Sequence, residues 1–334
     1  MDKTTIKEIY LARTEDEDLW KDSSSGGVFW FLVKYIIEIQ NGVCYGAIYT
    51  DNFKVKHARA EILEEAKKFR GSKYVQSQMG DILNDVLEDL KNNRVVLFSG
   101  TPCQVKAVKN IVPEKFKKNL ILIDILCHGA PSPKFFRDYI KFQENEYSSH
   151  VKEIKFRGKK LKDSVQDMYI KFTSGKEYKS FGTQDLYYKF FFNEFISRPS
   201  CEKCPFASLN RISDITIADY WGKAENIPKE FNGKIGLSAV YINSQKGIEI
   251  WKIIKRNLIV AESDLETCSQ PTLYRPIKSS QNKKEFWNMY NRKEFKEVAE
   301  YYFGNYKKIY LLRKIKNILN EMGILKIIHK IKNK

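Results

Sequence analysis

The apolar positions fall into short continuous runs separated by polar, glycine-marked turns. Arg94-Val-Val-Leu-Phe-Ser99 and Leu120-Ile-Leu-Ile-Asp-Ile-Leu126 are apolar without alternation. That is the pattern of strands covered on both faces. An amphipathic stretch between them, through about Asn110, predicts a helix, and strand–helix–strand predicts a βαβ unit in a parallel sheet. Gly42 to Tyr49, Ile215 to Tyr220 and Gly236 to Asn243 predict further buried strands. Helices are expected over Val28 to Ile37, Gln78 to Asn92, Tyr187 to Ser197 and Lys246 to Arg256. Residues 1–22 are polar and mixed in charge, and predict a short lead-in strand or arm.

The period changes in residues 150–182. Val165-Gln-Asp-Met-Tyr-Ile-Lys-Phe172 alternates, which predicts antiparallel strands. It changes again in residues 305–334, where Leu311, Ile315, Ile318, Met322 and Leu325 recur at three- and four-residue steps. Lysines and one arginine crowd the rest of that tail against a single acid, Glu321. A basic amphipathic helix can lie on an anionic membrane face, and it can equally pack on its own domain or on a partner subunit. The expected class is α/β with α+β mixing: a parallel sheet core with βαβ units, an antiparallel strand region and a C-terminal basic helical tail.

Composition narrows the partners. The chain has 334 residues, 43% of them hydrophobic, and a formal charge of +17. Such a charge favours an anionic partner: nucleic acid, a membrane surface, or a phosphate-bearing cofactor or substrate. No run approaches the roughly 18 apolar residues of a membrane span. The N-terminus lacks an apolar signal core, so a cytoplasmic location is expected. Six cysteines in that setting argue for reduced thiols or metal ligands over disulfides.

Four cysteines stand out. Cys201 and Cys204 lie three positions apart on a turn whose exit Pro205 stiffens, so both thiolates can aim at one metal or cluster. Cys103, in Gly100-Thr-Pro-Cys-Gln104, and Cys127, in Cys127-His-Gly-Ala-Pro-Ser-Pro133, each follow the end of a buried strand. Ligands of open α/β sheets sit at that edge. Four thiolates suit an iron–sulfur cluster or a structural zinc. Only one pair is close in sequence, which favours a cofactor inserted into an existing fold over a metal that nucleates one. The plainer alternative is a set of unrelated buried thiols. Cys44 reads as a core residue and Cys268 as a loop residue without a ligand role. His128 is placed to donate a proton to a substrate or to hydrogen-bond a cluster sulfur; its ordinary reading is a satisfied polar residue at a strand end. Asp214 and Asp219 fall on opposite faces of a strand, and Asp214 is expected to hold Arg198 or Arg211.

Two loops carry anion-binding chemistry. Asp22-Ser-Ser-Ser-Gly-Gly27 opens directly into an apolar helix. It reads either as a phosphate site at a helix N-terminus or as an ordinary serine cap with flexible glycines. Lys67 to Gln76 reads either as a solvated loop or as the wall of a pocket for an anionic planar ligand, with Lys73 on the charge and Tyr74 on the ring. The basic run Lys155 to Lys162 reads as a solvated hairpin, with a nucleic-acid patch as the sharper alternative.

Taken together, Ser24-Ser-Gly-Gly27, Gly71-Ser-Lys-Tyr-Val-Gln-Ser77, Gly100-Thr-Pro-Cys-Gln104, Cys127-His-Gly129, Arg198-Pro-Ser-Cys-Glu-Lys-Cys-Pro205 and Ser213-Asp-Ile-Thr-Ile-Ala-Asp-Tyr-Trp-Gly222 appear in one order. Over roughly residues 20–245 the chain resembles the beta-subunit family of coenzyme F-420 hydrogenases and dehydrogenases. The resemblance implies a flavin/iron–sulfur oxidoreductase with FAD and a [4Fe–4S] cluster. Its cluster ligands would be Cys103, Cys127, Cys201 and Cys204. Ser24, Ser25, Gly26 and Gly27 would lie at the flavin or its phosphates, and Lys73, Tyr74 and Gln76 would line its pocket; His128 is the candidate catalytic acid. The implied organisation is a flavin-pocket domain over 1–92, a cluster domain over 93–245, a helical extension over 246–304 and the basic tail over 305–334.

Many relatives carry a ferredoxin-like N-terminal segment that is not seen here, so a separate donor such as a ferredoxin is expected. Short relatives of this kind resemble products of bacterial surface-polysaccharide gene clusters, and the basic tail would suit work at the inner membrane face. The deazaflavin itself is not implied by these motifs. The competing expectation is a zinc-stabilised basic module that binds nucleic acid or anionic glycolipid; under the redox reading nucleic acid is not an expected partner.

Overall fold

A computed structural model describes residues 4–160, 166–182, 184–222 and 227–305. Its frame is an eight-stranded sheet. The strands are β1 (Glu8–Arg13), β2 (Val43–Tyr49), β3 (Val55–Ala60), β4 (Val96–Gly100), β5 (Leu120–Ile125), β9 (Ile215–Asp219), β10 (Ser238–Ile242) and β11 (Ile259–Ser263), in the order β11-β1-β10-β9-β5-β4-β2-β3. The central strands β2, β4, β5 and β9 run parallel. Antiparallel strands extend the sheet on both sides. Residues 1–92 supply three of these strands, and they interleave with strands from later in the chain. The lead-in segment is therefore structural: β1 lies inside the sheet, between β11 and β10.

The pleat sorts the strand residues into two cores. Cys44, Leu97, Ile121 and Ile123 pack with Trp30, Val33 and Trp251. These come from helices α2 (Val28–Lys34) and α8 (Gln245–Ile254). Val43, Tyr45, Val96, Phe98, Leu120 and Leu122 face the other way, onto α4 (Ile82–Lys91) and α5 (Pro102–Ile111). Both faces of the sheet's centre are covered, which is why these strands read as unbroken apolar runs. Helix α5 begins sharply because Thr101 and Gln104 form a reciprocal capping box and Pro102 fits the first turn. It is the crossover that places β5 parallel to β4. Short helices α1 (Glu17–Lys21) and α3 (Leu63–Ala66) complete this half.

A second lobe is built on aromatic packing. The antiparallel sheet β6 (Val151–Phe156), β7 (Asp167–Phe172) and β8 (Glu177–Phe181) is the region that alternates in sequence. Helices α6 (Pro133–Tyr147), α7 (Leu186–Phe192), α9 (Lys283–Tyr290) and α10 (Phe295–Phe303) close over it. Phe135, Phe136, Tyr187, Phe190, Phe286 and Phe295 fill the centre. Asp185 caps α7 by accepting from Tyr188 N–H, and it also accepts from the Tyr139 hydroxyl at 2.6 Å. Among the described residues no helix is long and apolar enough to cross a membrane. The basic tail from residue 306 onward lies outside the described residues.

Candidate functional site

The carboxyl ends of β4, β5 and β9 all open toward the aromatic lobe. There they border a cavity of about 590 Å³. This is the edge where open α/β sheets bind ligands. Its walls include Thr101 and Cys103 after β4, Cys127 and His128 after β5, and Asp219 and Trp221 at the end of β9. Arg70, Lys73, Arg157 and Arg198 also line it, against Asp219 as the one carboxylate among the described lining residues. Arg70 is paired with Asp22 and Arg157 with Asp219, and the remaining positive balance of the wall favours an anion.

Cys103 and Cys127 line one end of this cavity, and Cys201 and Cys204 lie close enough to act on Cys127 electrostatically; this end is here termed the cysteine pole. Burial pushes the Cys127 thiol up to about 12, and the charges of Cys201, Cys103 and Cys204 push in the same direction. Cys201 is also raised by burial, with Arg198 opposing. The thiols are thus near enough to feel one another, and none is in a disulfide. Their loops are laced together. Arg198 N–H donates to Ala130 O at 3.0 Å and Ser132 N–H to Ile196 O at 2.9 Å. Gly129 lies at their contact: a Cβ there would lie 2.8 Å from Ser197 Oγ and 3.2 Å from Ile277 Cδ1. Below the pole, Asp124 on β5 takes the Arg211 guanidinium, and Arg211 also donates to Phe206 O at 3.0 Å. That fastens the Cys201–Cys204 loop to the strand that leads to Cys127. Arg211 therefore serves Asp124, whereas Asp214 accepts from Leu122 N–H and from Ser244, the cap of α8.

Ser24, Ser25, Gly27, Lys73, Tyr74 and Gln76 all reach the cavity wall, and Gly26 does not. A Cβ on Gly26 would sit 2.1 Å from Ala12 O, so this glycine lets the loop cross the sheet edge. The serines are tethered: Ser25 donates to Leu237 O, and Ser24 accepts from Ser72 N–H and lies 2.8 Å from the Ser72 hydroxyl. The Lys73 ammonium donates to the carbonyls of Phe69, Arg70 and Gly71 at 3.0–3.2 Å, and burial lowers it to about 7. Its donors thus shape its own loop. Tyr74 packs edge-on against Phe156 and Tyr188. Gln76 N–H donates to Pro131 O at 3.0 Å, which joins this wall to the Cys127 loop.

His128 lies on the wall with Nε2 2.6 Å from Glu194 Oε1, its ring edge-on to Phe191 and Phe192. A second histidine was not singled out from the sequence. His57 is buried, stacks on Phe98 and is lowered by burial to about 4, so its ring is neutral. Nε2–H donates to Ser99 O at 3.0 Å, which leaves Nδ1 to accept from Ser77 at 3.1 Å. Ser77 accepts from Gln104, whose Oε1 takes Thr101 N–H; the Thr101 hydroxyl lies 3.2 Å from Cys103 Sγ. A polar chain thus runs from the sheet to a candidate ligand.

The basic run after β6 is not a solvated hairpin over its described part. Arg157 is buried in the cavity wall and pairs with Asp219. Lys159 donates to Trp20 O and Ser25 O, at 2.6 and 2.9 Å, and burial lowers it to about 6. Composition cannot separate such lysines from solvated ones; only the β9 carboxylate and the Ser-Gly loop, distant in sequence, decide it.

The sequence model for the C-terminal part of the coenzyme F420 hydrogenase/dehydrogenase beta subunit matches residues 93–267. The chain belongs to this family. With the F420 hydrogenase/dehydrogenase beta-subunit family comes oxidoreductase chemistry. The match spans all four cysteines of the pole. Among solved structures, the chain resembles one from the xenon-derivatised F420-reducing [NiFe] hydrogenase complex of Methanosarcina barkeri, with a TM-score of 0.55 and 18% identity over 80% of this chain and 87% of that one. At that identity the likeness is one of fold. No curated protein matches the chain.

The donor chemistry of the beta-subunit fold can be tested against the groups it implies. Burial favours the protonated thiol at Cys127 and Cys201, and coordination to a cation would deprotonate them outright. Among the described residues no three His, Cys, Asp or Glu side chains gather at single-ion spacing. A tetrahedral zinc needs sulfurs about 3.8 Å apart, whereas a four-iron cluster takes the same four thiolates as ligands. The cavity beside it is lined by Arg70, paired with Asp22, and Arg157, paired with Asp219; their Nε atoms are buried without a hydrogen-bond partner among the described residues, which suits an anionic dinucleotide such as FAD.

Proposed function

We propose that this chain is a flavin- and [4Fe–4S]-dependent oxidoreductase that passes electrons between a separate donor, such as a ferredoxin, and a substrate. One observation carries the reading: Cys103, Cys127, Cys201 and Cys204, from three separate segments of the chain, converge at one end of a cavity at the carboxyl edge of a parallel sheet, with Cys103 and Cys127 in its wall. Cys103, Cys127, Cys201 and Cys204 would hold the cluster. Ser24, Ser25, Gly27, Lys73, Tyr74 and Gln76 would form the flavin wall. When bound, the cluster supplies one-electron steps and the flavin converts them to two-electron chemistry.

The chain's own residues do the rest. The cationic wall binds and orients the pyrophosphate. The aromatic lobe excludes water from the cavity. His128, positioned by Glu194, is the group placed to deliver or accept a proton there. The placement of the reaction in bacterial surface-polysaccharide assembly rests on the sequence resemblance alone.

The test is the cofactor content of protein purified without oxygen. About four irons and four sulfides per chain, with FAD, are expected. One zinc per chain and no flavin would replace this reading with the zinc-stabilised binding module.

A further inference from the structure

We propose that the cysteine pole is the docking face for a small acidic electron-carrier protein. This rests on the reading of the four cysteines as cluster ligands. It adds where the carrier binds and which charges hold it.

Cys103 is exposed, and Cys127, Cys201 and Cys204 are partly exposed. A group held by these thiols lies just beneath the surface, within reach of a partner that cannot enter the cavity. The rim around them is cationic. Arg198 and Lys203 flank the Cys201–Cys204 turn. Arg275 and Lys278 come from a segment fastened to the same rim by Ile277 against Gly129 and by Ser279 hydrogen-bonded to Glu202. All four cations are exposed, and none forms an ion pair among the described residues. The acids nearby are already engaged: Glu202 with Lys283, Glu194 with His128, and Asp124 sealed against Arg211.

Two segments therefore present positive charge, without ion-pair partners among the described residues, around the exit from the cluster site. Such a face steers and orients an acidic partner, and its attraction weakens as salt rises. A docking face at this end also keeps electron entry apart from the flavin wall, so the carrier and the substrate do not compete.

The probe is an acidic bacterial two-cluster ferredoxin, titrated calorimetrically into the iron-loaded full chain at low salt. Arg275→Glu/Lys278→Glu and Lys203→Glu are each expected to weaken binding about tenfold or more. Wild-type binding should fall with added salt. Lys118→Glu should bind as wild type, because Lys118 is exposed just before β5, at the opposite edge of the sheet from the cysteines. Unchanged affinity in the rim variants, or no wild-type binding at low salt, would overturn the proposal. So would tighter, salt-sensitive binding of a single-stranded RNA oligomer through the same residues. Iron and flavin are assayed on every sample. Protein that took up no iron on anaerobic reconstitution yet bound ferredoxin through the rim would defeat the cluster reading and leave the docking face standing.

Discussion

Asp124 Oδ2 and Arg211 Nη2 meet at 2.7 Å with their side chains 0% and 1% exposed. Asp124 Oδ1 also accepts from Ser213 and Thr216. Burial raises the carboxyl, and the guanidinium and both hydroxyls pull it back. The pair joins the strand behind Cys127 to the loop carrying Cys201 and Cys204. Removing only the cation leaves a sealed carboxylate without its partner. Arg211→Met should cost about 3–5 kcal/mol in a urea melt, and Asp124→Asn/Arg211→Met should recover part of that. A loss under about 1 kcal/mol would mean that the pair does not brace the pole.

Gly129 fixes the separation of the Cys127 and Cys201 loops. Gly129→Val must displace Ser197 or Ile277, an overpacking cost of about 1–3 kcal/mol. The fold should survive, by circular dichroism, while iron retention after anaerobic reconstitution falls well below that of wild type. Full iron in a folded variant would show that the contact does not set ligand spacing.

The Thr101 hydroxyl has one proton and two neighbours, Gln104 Oε1 at 3.0 Å and Cys103 Sγ at 3.2 Å. Once Cys103 has lost its own proton, only the threonine can supply the hydrogen between them. Donation to a ligand sulfur favours the reduced, more negative cluster. Thr101→Val should lower the midpoint potential by roughly 40 mV, the equivalent of about 1 kcal/mol for one electron. Thr101→Ser should restore it. Equal potentials in all three proteins would assign Thr101 to helix capping alone.

His57 makes stability pH-dependent. Its folded-state value of about 4 lies below the roughly 6.5 of an unfolded histidine. Between those values the unfolded chain takes up the proton and the folded chain does not. Stability is therefore full above about pH 6.5 and declines as the pH falls toward 4, by up to about 3 kcal/mol. His57→Gln should flatten that limb in denaturation experiments at stepped pH. An unchanged slope would place the acid sensitivity elsewhere.

Much of this was legible in the sequence. Unbroken apolar runs gave β4 and β5, the crossover helix gave their parallel arrangement, and strand ends followed by cysteine marked the edge where the cavity opens. What escaped depends on partners far apart in the chain. Arg157 looks like any lysine-rich hairpin residue until Asp219 is brought beside it. His57 sits in an ordinary alternating strand, and only Phe98 and Ser77 seal it. The interior place of β1 follows from pairing with β10 and β11, whose sequences do not announce that neighbour. Gly26 resembles a phosphate-loop glycine by composition, and only the nearness of Ala12 O shows its packing role.

The central claim is tested most directly by the visible spectrum of the anaerobically purified protein during stepwise dithionite reduction, beside Cys201→Ser. The account predicts a broad iron–sulfur absorption with flavin bands, all bleaching on reduction, and loss of the iron–sulfur component in the variant. A colourless wild-type protein carrying stoichiometric zinc, or a Cys201→Ser variant with an undiminished iron–sulfur spectrum, would contradict it.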